Sequence, residues 1–150
     1  MDYMMEYQRW LDSGALDAQE TAELEAVKGN NEDIESRFFA PLSFGTAGLR
    51  GVLGVGLNRM NRFTVGQAAQ GLANLVVSNG QAAMDRGVAI AYDSRHYSPE
   101  FAKQSACILA ANGIKALLFD ELRPTPELYF AVRHYGCIAG INITASHNPK

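Results

Sequence analysis

The sequence predicts an α/β fold, a three-layer α/β/α sandwich on a four-stranded sheet with helices from the N-terminal segment packed outside it. Three observations carry this expectation. Beyond the first third of the chain, short apolar segments alternate with segments of helical period. The short segments, such as Val88 to Tyr92, are apolar on successive residues, as in a mostly parallel sheet covered on both faces. The helical segments carry start and stop signals at their ends.

The first 40 residues read as a helical extension (1–40) ahead of an α/β domain (41–150). Tyr3, Met4, Tyr7, Trp10 and Leu11 recur at helical spacing as a packing stripe, and Ser13-Gly14 ends it. Asp17 with Glu20 has the form of a capping box and opens a second helix through about Val27. Asn31 can cap a third, with Ile34 and Phe38 on one face. Between Pro41 and Asn61 the texture changes. Glycines at 45, 48, 51, 54 and 56 are interleaved with Phe44, Leu49, Val52, Leu53, Val55 and Leu57. This predicts a strand over Leu49 to Leu53, flanked by loops whose backbone comes close to something.

Three helix-strand alternations follow. Thr64 and Gln67 have capping-box form for a helix burying Val65, Ala68, Ala69, Leu72, Leu75 and Val76, with an interruption at Ser78-Asn79-Gly80. Val88 to Tyr92 is the next strand. Ser98 caps a helix with Pro99 at its first position, and Asn112-Gly113 ends it. Lys115 to Phe119 is a strand. Thr125-Pro126 repeats the cap-then-proline pattern for a helix that stops at Gly136, and Cys137 to Ile143 is the last strand.

With 150 residues and a formal net charge of -3, the chain fits one domain and lacks the basic balance expected of a partner for nucleic acid or anionic membrane. An anion would have to be held by a local cluster of arginines and backbone amides. No apolar run approaches the about 20 residues of a membrane span, and Met1 to Trp10 does not read as a secretory signal. A cytoplasmic protein is expected, with Cys107 and Cys137 as buried thiols and a disulfide between them as the alternative.

In sheets of this kind ligands bind beyond the carboxyl ends of the strands. Two polar segments follow strands directly: Asp93-Ser94-Arg95-His96 and Thr144-Ala145-Ser146-His147-Asn148. The second, closed by Pro149, sets a hydroxyl, an imidazole and an amide in one loop. It reads either as a polar turn or as an exposed serine able to carry a phosphoryl group, whose charge needs donors around it. It is no G-x-S-x-G elbow, and no G-x-x-x-x-G-K-[ST] loop exists. In Phe44 to Gly51, reading Phe-Gly-Thr-Ala-Gly-Leu-Arg-Gly, glycines on both sides of Leu49-Arg50 permit close backbone approach. Arg50 can offer a planar fork to phosphate oxygens or be a surface residue on a glycine-rich turn. Asp93 and Arg95 suit a local structural pair. His96 and His134 suit surface or packing roles, and no His/Cys/Asp set has zinc-ligand spacing.

Phe-Gly-Thr-Ala-Gly-Leu-Arg-Gly (44–51), Tyr-Asp-Ser-Arg (92–95), Pro-Thr-Pro (124–126) and Thr-Ala-Ser-His-Asn-Pro (144–149), in this order, resemble the α-D-phosphohexomutases. The Asn58-Arg-Met-Asn61 stretch and the helical extension resemble the phosphoglucomutase-2/phosphopentomutase-like branch. The likeness covers nearly the whole chain and implies the phosphoserine domain of a phosphoglucomutase/phosphomannomutase-type enzyme, with a mixed sheet in strand order 2-1-3-4. It implies reversible phosphoryl transfer between the 1 and 6 positions of a hexose phosphate, or 1 and 5 of a pentose phosphate, through a bisphosphorylated sugar. Ser146 matches the phosphoserine, Arg50 the arginine beside the transferring group, and His147 the histidine after the serine. Thr46, Gly48, Arg95 and Asn148 match positions for substrate or phosphate contact. Mg²⁺ would bind the phosphate on Ser146, with its other ligands in a second domain. The family's general-base lysine lies beyond Lys150, so Lys150 does not match it, and the sugar-recognition and phosphate-gripping parts have no counterpart here. The remaining domains of the same polypeptide are thus expected partners, and the 150-residue chain alone is expected not to turn over. The alternative is a non-catalytic phosphosugar- or anion-binding module.

Overall fold

A computed structural model of the chain describes residues 2–46 and 48–144. By backbone contacts the chain divides into two compact units, Met1–Thr64 and Val65–Lys150.

In the first unit, α1 (Tyr3–Asp12) starts where the Asp2 carboxylate accepts from the amides of Met4 and Met5. α2 (Ala18–Ala26) has the expected capping box, with Asp17 and Glu20 each accepting from the other's backbone amide. α3 (Asn31–Phe38) is capped one residue earlier than the sequence suggested, because it is the Asn30 side-chain oxygen that accepts from the Asp33 amide. Tyr7, Leu24, Ile34, Phe38 and Val55 make the core of this unit. Trp10 meets Phe38 edge-on at 5.6 Å between ring centroids, a favoured aromatic geometry.

The strand expected over Leu49 to Leu53 is cut short. β1 (Phe44–Gly45) and β2 (Gly48–Leu49) form a two-stranded antiparallel hairpin, and the next segment turns back on itself. The reason lies in the glycines: Gly54 (φ 145°) and Gly56 (φ 140°) take conformations that no pleated strand of L-residues continues. Gly56 also lies against α3, where an added Cβ would stand 2.9 Å from the Arg37 carbonyl oxygen. The close approach read from these glycines is therefore to the protein's own helix.

α4 (Arg62–Ser78) begins two residues before the expected cap. Asn61 is the cap: its side-chain oxygen accepts from the Phe63 and Thr64 amides, while the Thr64 hydroxyl accepts from the Asn61 amide. α5 (Gln81–Arg86) follows the break at residues 79–80. In the second unit β3 (Val88–Tyr92), β4 (Ala116–Leu118) and β5 (Ala139–Ile143) alternate with α6 (Ser98–Ala111) and α7 (Thr125–His134). The three strands form an all-parallel sheet in order β4-β3-β5. The expected four-stranded mixed sheet in order 2-1-3-4 is thus not what the described residues form. β3, buried along Val88 to Ala91, takes the centre, where both of its faces are covered. Val88 and Ile90 pack with Ala73 and Val76 of α4 and with Ala102 and Leu109 of α6. Ala89 and Ala91 pack with Leu128 of α7 and with Cys137. Helices therefore lie on both faces of the sheet.

Ser98 is not the cap of α6 but its first residue. Tyr97 precedes it with φ 65°, and the buried Ser98 hydroxyl donates to Asp93 instead. Thr125 is likewise the first residue of α7, with Pro124 before it. Nor is Cys107 a buried thiol. It is exposed, because α6 buries Phe101, Ala102, Ser105 and Leu109, and position 107 falls off that face; Cys137 is buried as expected. Among the described residues no helix is long and apolar enough to cross a membrane.

Candidate functional site

Parallel pairing brings the carboxyl ends of the three strands to one edge. Tyr92 stands opposite Ile143, and Ile90 opposite Leu118. The chain leaving β3 is tied to the end of β5 by the Asp93 amide, which donates to the Ile143 carbonyl at 3.1 Å. One carboxylate oxygen of Asp93 then accepts from the Arg95 amide at 3.0 Å and from the Ser98 hydroxyl at 2.8 Å. The contact between Asp93 and Arg95 here runs from the arginine's backbone amide to the carboxylate. This leaves the half-buried Arg95 carried on a braced turn and His96 exposed beside it. From the β4 side the Arg123 amide donates to the Tyr92 carbonyl at 3.4 Å. From α7 the Thr125 hydroxyl accepts from the Asn142 amide group at 2.8 Å. Thr144 is the last described residue; Ser146, His147 and Asn148 lie outside the described residues, as does the expectation that they share a site with Arg50.

The second set of candidates is in the first unit. Pairing of Phe44 with Leu49 and of Gly45 with Gly48 puts Thr46 at the tip of a tight hairpin. Thr46 is exposed, Gly48 takes φ 99°, and Arg50, also exposed, leaves the hairpin directly after β2. The turn-forming role of Gly48 is physical: a left-handed φ is costly for any residue with a Cβ.

The loop that follows is held by several hydrogen bonds. The Met60 amide donates to the Val52 carbonyl at 2.7 Å, and the Leu42 amide to the Leu57 carbonyl at 3.1 Å. The Asn61 side-chain amide donates to the carbonyls of Gly54 and Gly56, both at 2.9 Å. Arg37 bonds Glu23, Asp33 and the Val55 carbonyl. Burial pulls its pKa down, but the hydrogen bonds to Glu23 and Asp33 outweigh that and leave it above the usual arginine value. The pKa of Arg59 lies below it, through burial and then through the nearby Arg37 charge. These two arginines brace the loop against α3, whereas Arg50 is exposed directly after β2.

In the sequence Thr125 reads as a helix cap and Asn61 belongs only to a family-like stretch, and nothing there gives a partner for Asn142. Asn142 had a visible signal, a polar residue between Ile141 and Ile143 in an otherwise apolar strand. Asn61 had little signal, because its partners are carbonyls of glycines whose turn only the fold defines. Among the described residues no group of three or more His, Cys, Asp or Glu side chains could hold a metal ion.

Residues 41–150 match the model of the phosphoglucomutase/phosphomannomutase family, alpha/beta/alpha domain I. The chain belongs to this family. It is 48% identical over 120 residues to a phosphoglucomutase of Staphylococcus epidermidis, covering 80% of this chain and 21% of that protein. It is 40% identical over 138 residues to a phosphopentomutase of Homo sapiens, covering 85% of this chain and 22% of that one. A crystal structure from Thermus thermophilus, of a provisionally named phosphomannomutase, superposes with a TM-score of 0.64 at 35% identity over 73% of this chain and 24% of that one. The resemblance read from four short motifs is thus shown across the α/β part of this family member. The chain spans about a fifth of the length of the curated relatives it matches.

Proposed function

We propose that this chain is the phosphoserine-bearing domain I of a phosphosugar mutase. The observation that carries the reading is the match of residues 41–150 to domain I, with Thr-Ala-Ser-His-Asn-Pro (144–149) directly after a parallel strand whose end is hydrogen-bonded to the 93–98 turn. Such an edge is where sheets of this class bind ligands. Ser146 carries the phosphoryl group, gives it to the sugar phosphate and takes back the other phosphate from the bisphosphorylated sugar. Arg50 offers charge-assisted hydrogen bonds to the phosphoryl oxygens, His147 shapes the loop, and Thr46, Gly48, Arg95 and Asn148 supply polar contacts to phosphate or substrate. Phosphoryl transfer gains most of its rate from such positioning and charge stabilisation. Mg²⁺, when bound, would neutralise charge on the phosphate at Ser146. Its other ligands belong to remaining domains of the same polypeptide, working in the cytoplasm.

Transfer between positions 1 and 6 of a hexose phosphate is the primary reading. Transfer between 1 and 5 of a pentose phosphate is the second, favoured by the likeness to the human phosphopentomutase over 85% of the chain. The test is a coupled assay on the complete protein with glucose 1-phosphate and ribose 1-phosphate, with bisphosphorylated sugar and Mg²⁺ present. Ser146→Ala should abolish turnover while thermal unfolding stays unchanged, and Arg50→Ala should slow it. Wild-type turnover by Ser146→Ala would remove the phosphoserine mechanism.

A further inference from the structure

The Pro124-Thr125-Pro126 motif has no role in the assignments above, yet it makes a specific contact. On β3 and β5 the registered pairs Ala89 with Gly140 and Ala91 with Asn142 share one face of the sheet. That face is the one covered by α7, since Ala89 and Ala91 pack with Leu128. At Gly140 the helix comes so close that a Cβ would stand 2.8 Å from a Val132 methyl and 3.4 Å from a Leu128 methyl. Two residues on, the same face carries Asn142, the polar member of an otherwise small and apolar set. The Asn142 side-chain amide donates to the Thr125 hydroxyl at 2.8 Å, in a half-buried position.

Thr125 is held rigidly. Pro124 is extended (φ -71°, ψ 152°), Pro126 sits in the first turn, and each ring removes backbone freedom beside the threonine. Because Thr125 is the first residue of α7 rather than the residue before it, its hydroxyl is not placed to cap the helix and turns to β5 instead. At the edge of β5 that pairs with β3, the Asp93 amide donates to the Ile143 carbonyl. The last residues of β5 are therefore gripped twice, once from α7 through a side chain and once from the β3 turn through the backbone. Thr144 follows, and Ser146 is four residues after Asn142.

We propose that Thr125, flanked by its two prolines, and Asn142 form a positioning clasp that holds the end of β5, four residues before Ser146. This deepens the reading of Ser146 as the phosphoryl carrier and rests on it. Both are positioning residues rather than carriers of the phosphoryl group. Their effect is on alignment, where a displacement of about 1 Å at the phosphoryl group can cost up to about a hundredfold in rate.

The experiment uses the complete polypeptide carrying this chain, assayed with glucose 1-phosphate, bisphosphorylated sugar and Mg²⁺. Thr125→Val and Asn142→Leu preserve shape and remove the hydrogen bond. Each is expected to lower kcat about tenfold with little change in KM or thermal midpoint, and Thr125→Ser, which keeps the hydroxyl, should restore most of the rate. Wild-type kcat in Thr125→Val and Asn142→Leu overturns the clasp. So does a loss that follows loss of folded protein in both variants, or a Thr125→Ser as slow as Thr125→Val. Ser146→Ala is run beside them. Turnover by that variant defeats the phosphoserine reading itself, whereas an inactive Ser146→Ala with a fully active Thr125→Val defeats the clasp alone.

Discussion

Single residues in the first unit do two jobs at once, and Glu20 shows how to separate them. Its carboxylate accepts from the Asp17 amide in the capping box and also takes both arms of the Arg62 guanidinium at 2.7 Å. The hydrogen bonds from Arg62 are the main cause holding its pKa below the usual glutamate value. A carboxyl whose folded pKa is depressed adds stability that is present above the unfolded pKa of about 4.3 and is lost as pH falls through the folded value. Glu20→Gln keeps an oxygen for the Asp17 amide and removes the charge. It should lower stability at pH 7 by roughly 0.5–1 kcal/mol, and the gap to wild type should close as pH drops below about 4. Urea titrations of both proteins between about pH 3 and about pH 7, a range that brackets the reference pKa, measure this. A gap that stays constant across that range would show that capping, rather than the ion pair, is the source.

At the scale of elements, glycine positions distinguish backbone conformation from crowding. Gly87 joins α5 to β3 with φ 75°, and its carbonyl accepts from the Ile138 amide at the start of β5. A Cβ there would overlap the Lys115 carbonyl oxygen, a backbone atom ahead of β4. Gly136 has a similar φ of 66° at the end of α7, but a Cβ there would meet nothing within 4 Å. Gly136→Ala should therefore cost only the left-handed strain, about 1 kcal/mol. Gly87→Ala adds a clash where β3, β4 and β5 begin and should cost about 3 kcal/mol or more. The comparison is read from denaturation midpoints of the two variants, and equal costs would mean that the sheet shifts to accept the methyl. Much of this element scale is legible in the sequence. Val88 to Tyr92 forms the expected strand, the Asp17-Glu20 box opens α2, and Gly113 and Gly136 follow helix ends with positive φ. Helix starts were less legible, because a capping side chain is chosen by tertiary partners. Asn61 caps α4 while also holding two glycine carbonyls, and Asp93 draws Ser98 away from the capping role at α6.

For the whole molecule, the governing fact is that the chain spans about a fifth of its curated relatives. The proposed chemistry draws on groups that the proposal places in remaining domains of the same polypeptide. Transfer without them loses positioning and charge stabilisation together. The 150-residue chain is accordingly expected to show no mutase turnover with glucose 1-phosphate under conditions in which the complete protein is active. A coupled assay on both decides it, and turnover by the 150-residue chain would place the catalytic groups within it.

By itself the sequence determined the class of fold and the family. Periodicity and caps mark helices and strands because they reflect local geometry, and four motifs in one order mark the family. Tertiary structure alone decided which strand is central, where the 49–53 segment goes, and that Cys107 faces solvent. It also decided that Asn142, a lone polar residue in an apolar strand, meets Thr125, distant in sequence. Such outcomes depend on contacts between remote segments. A pattern of neighbours along the chain records that a residue is polar or small, and only the packed molecule supplies its partner.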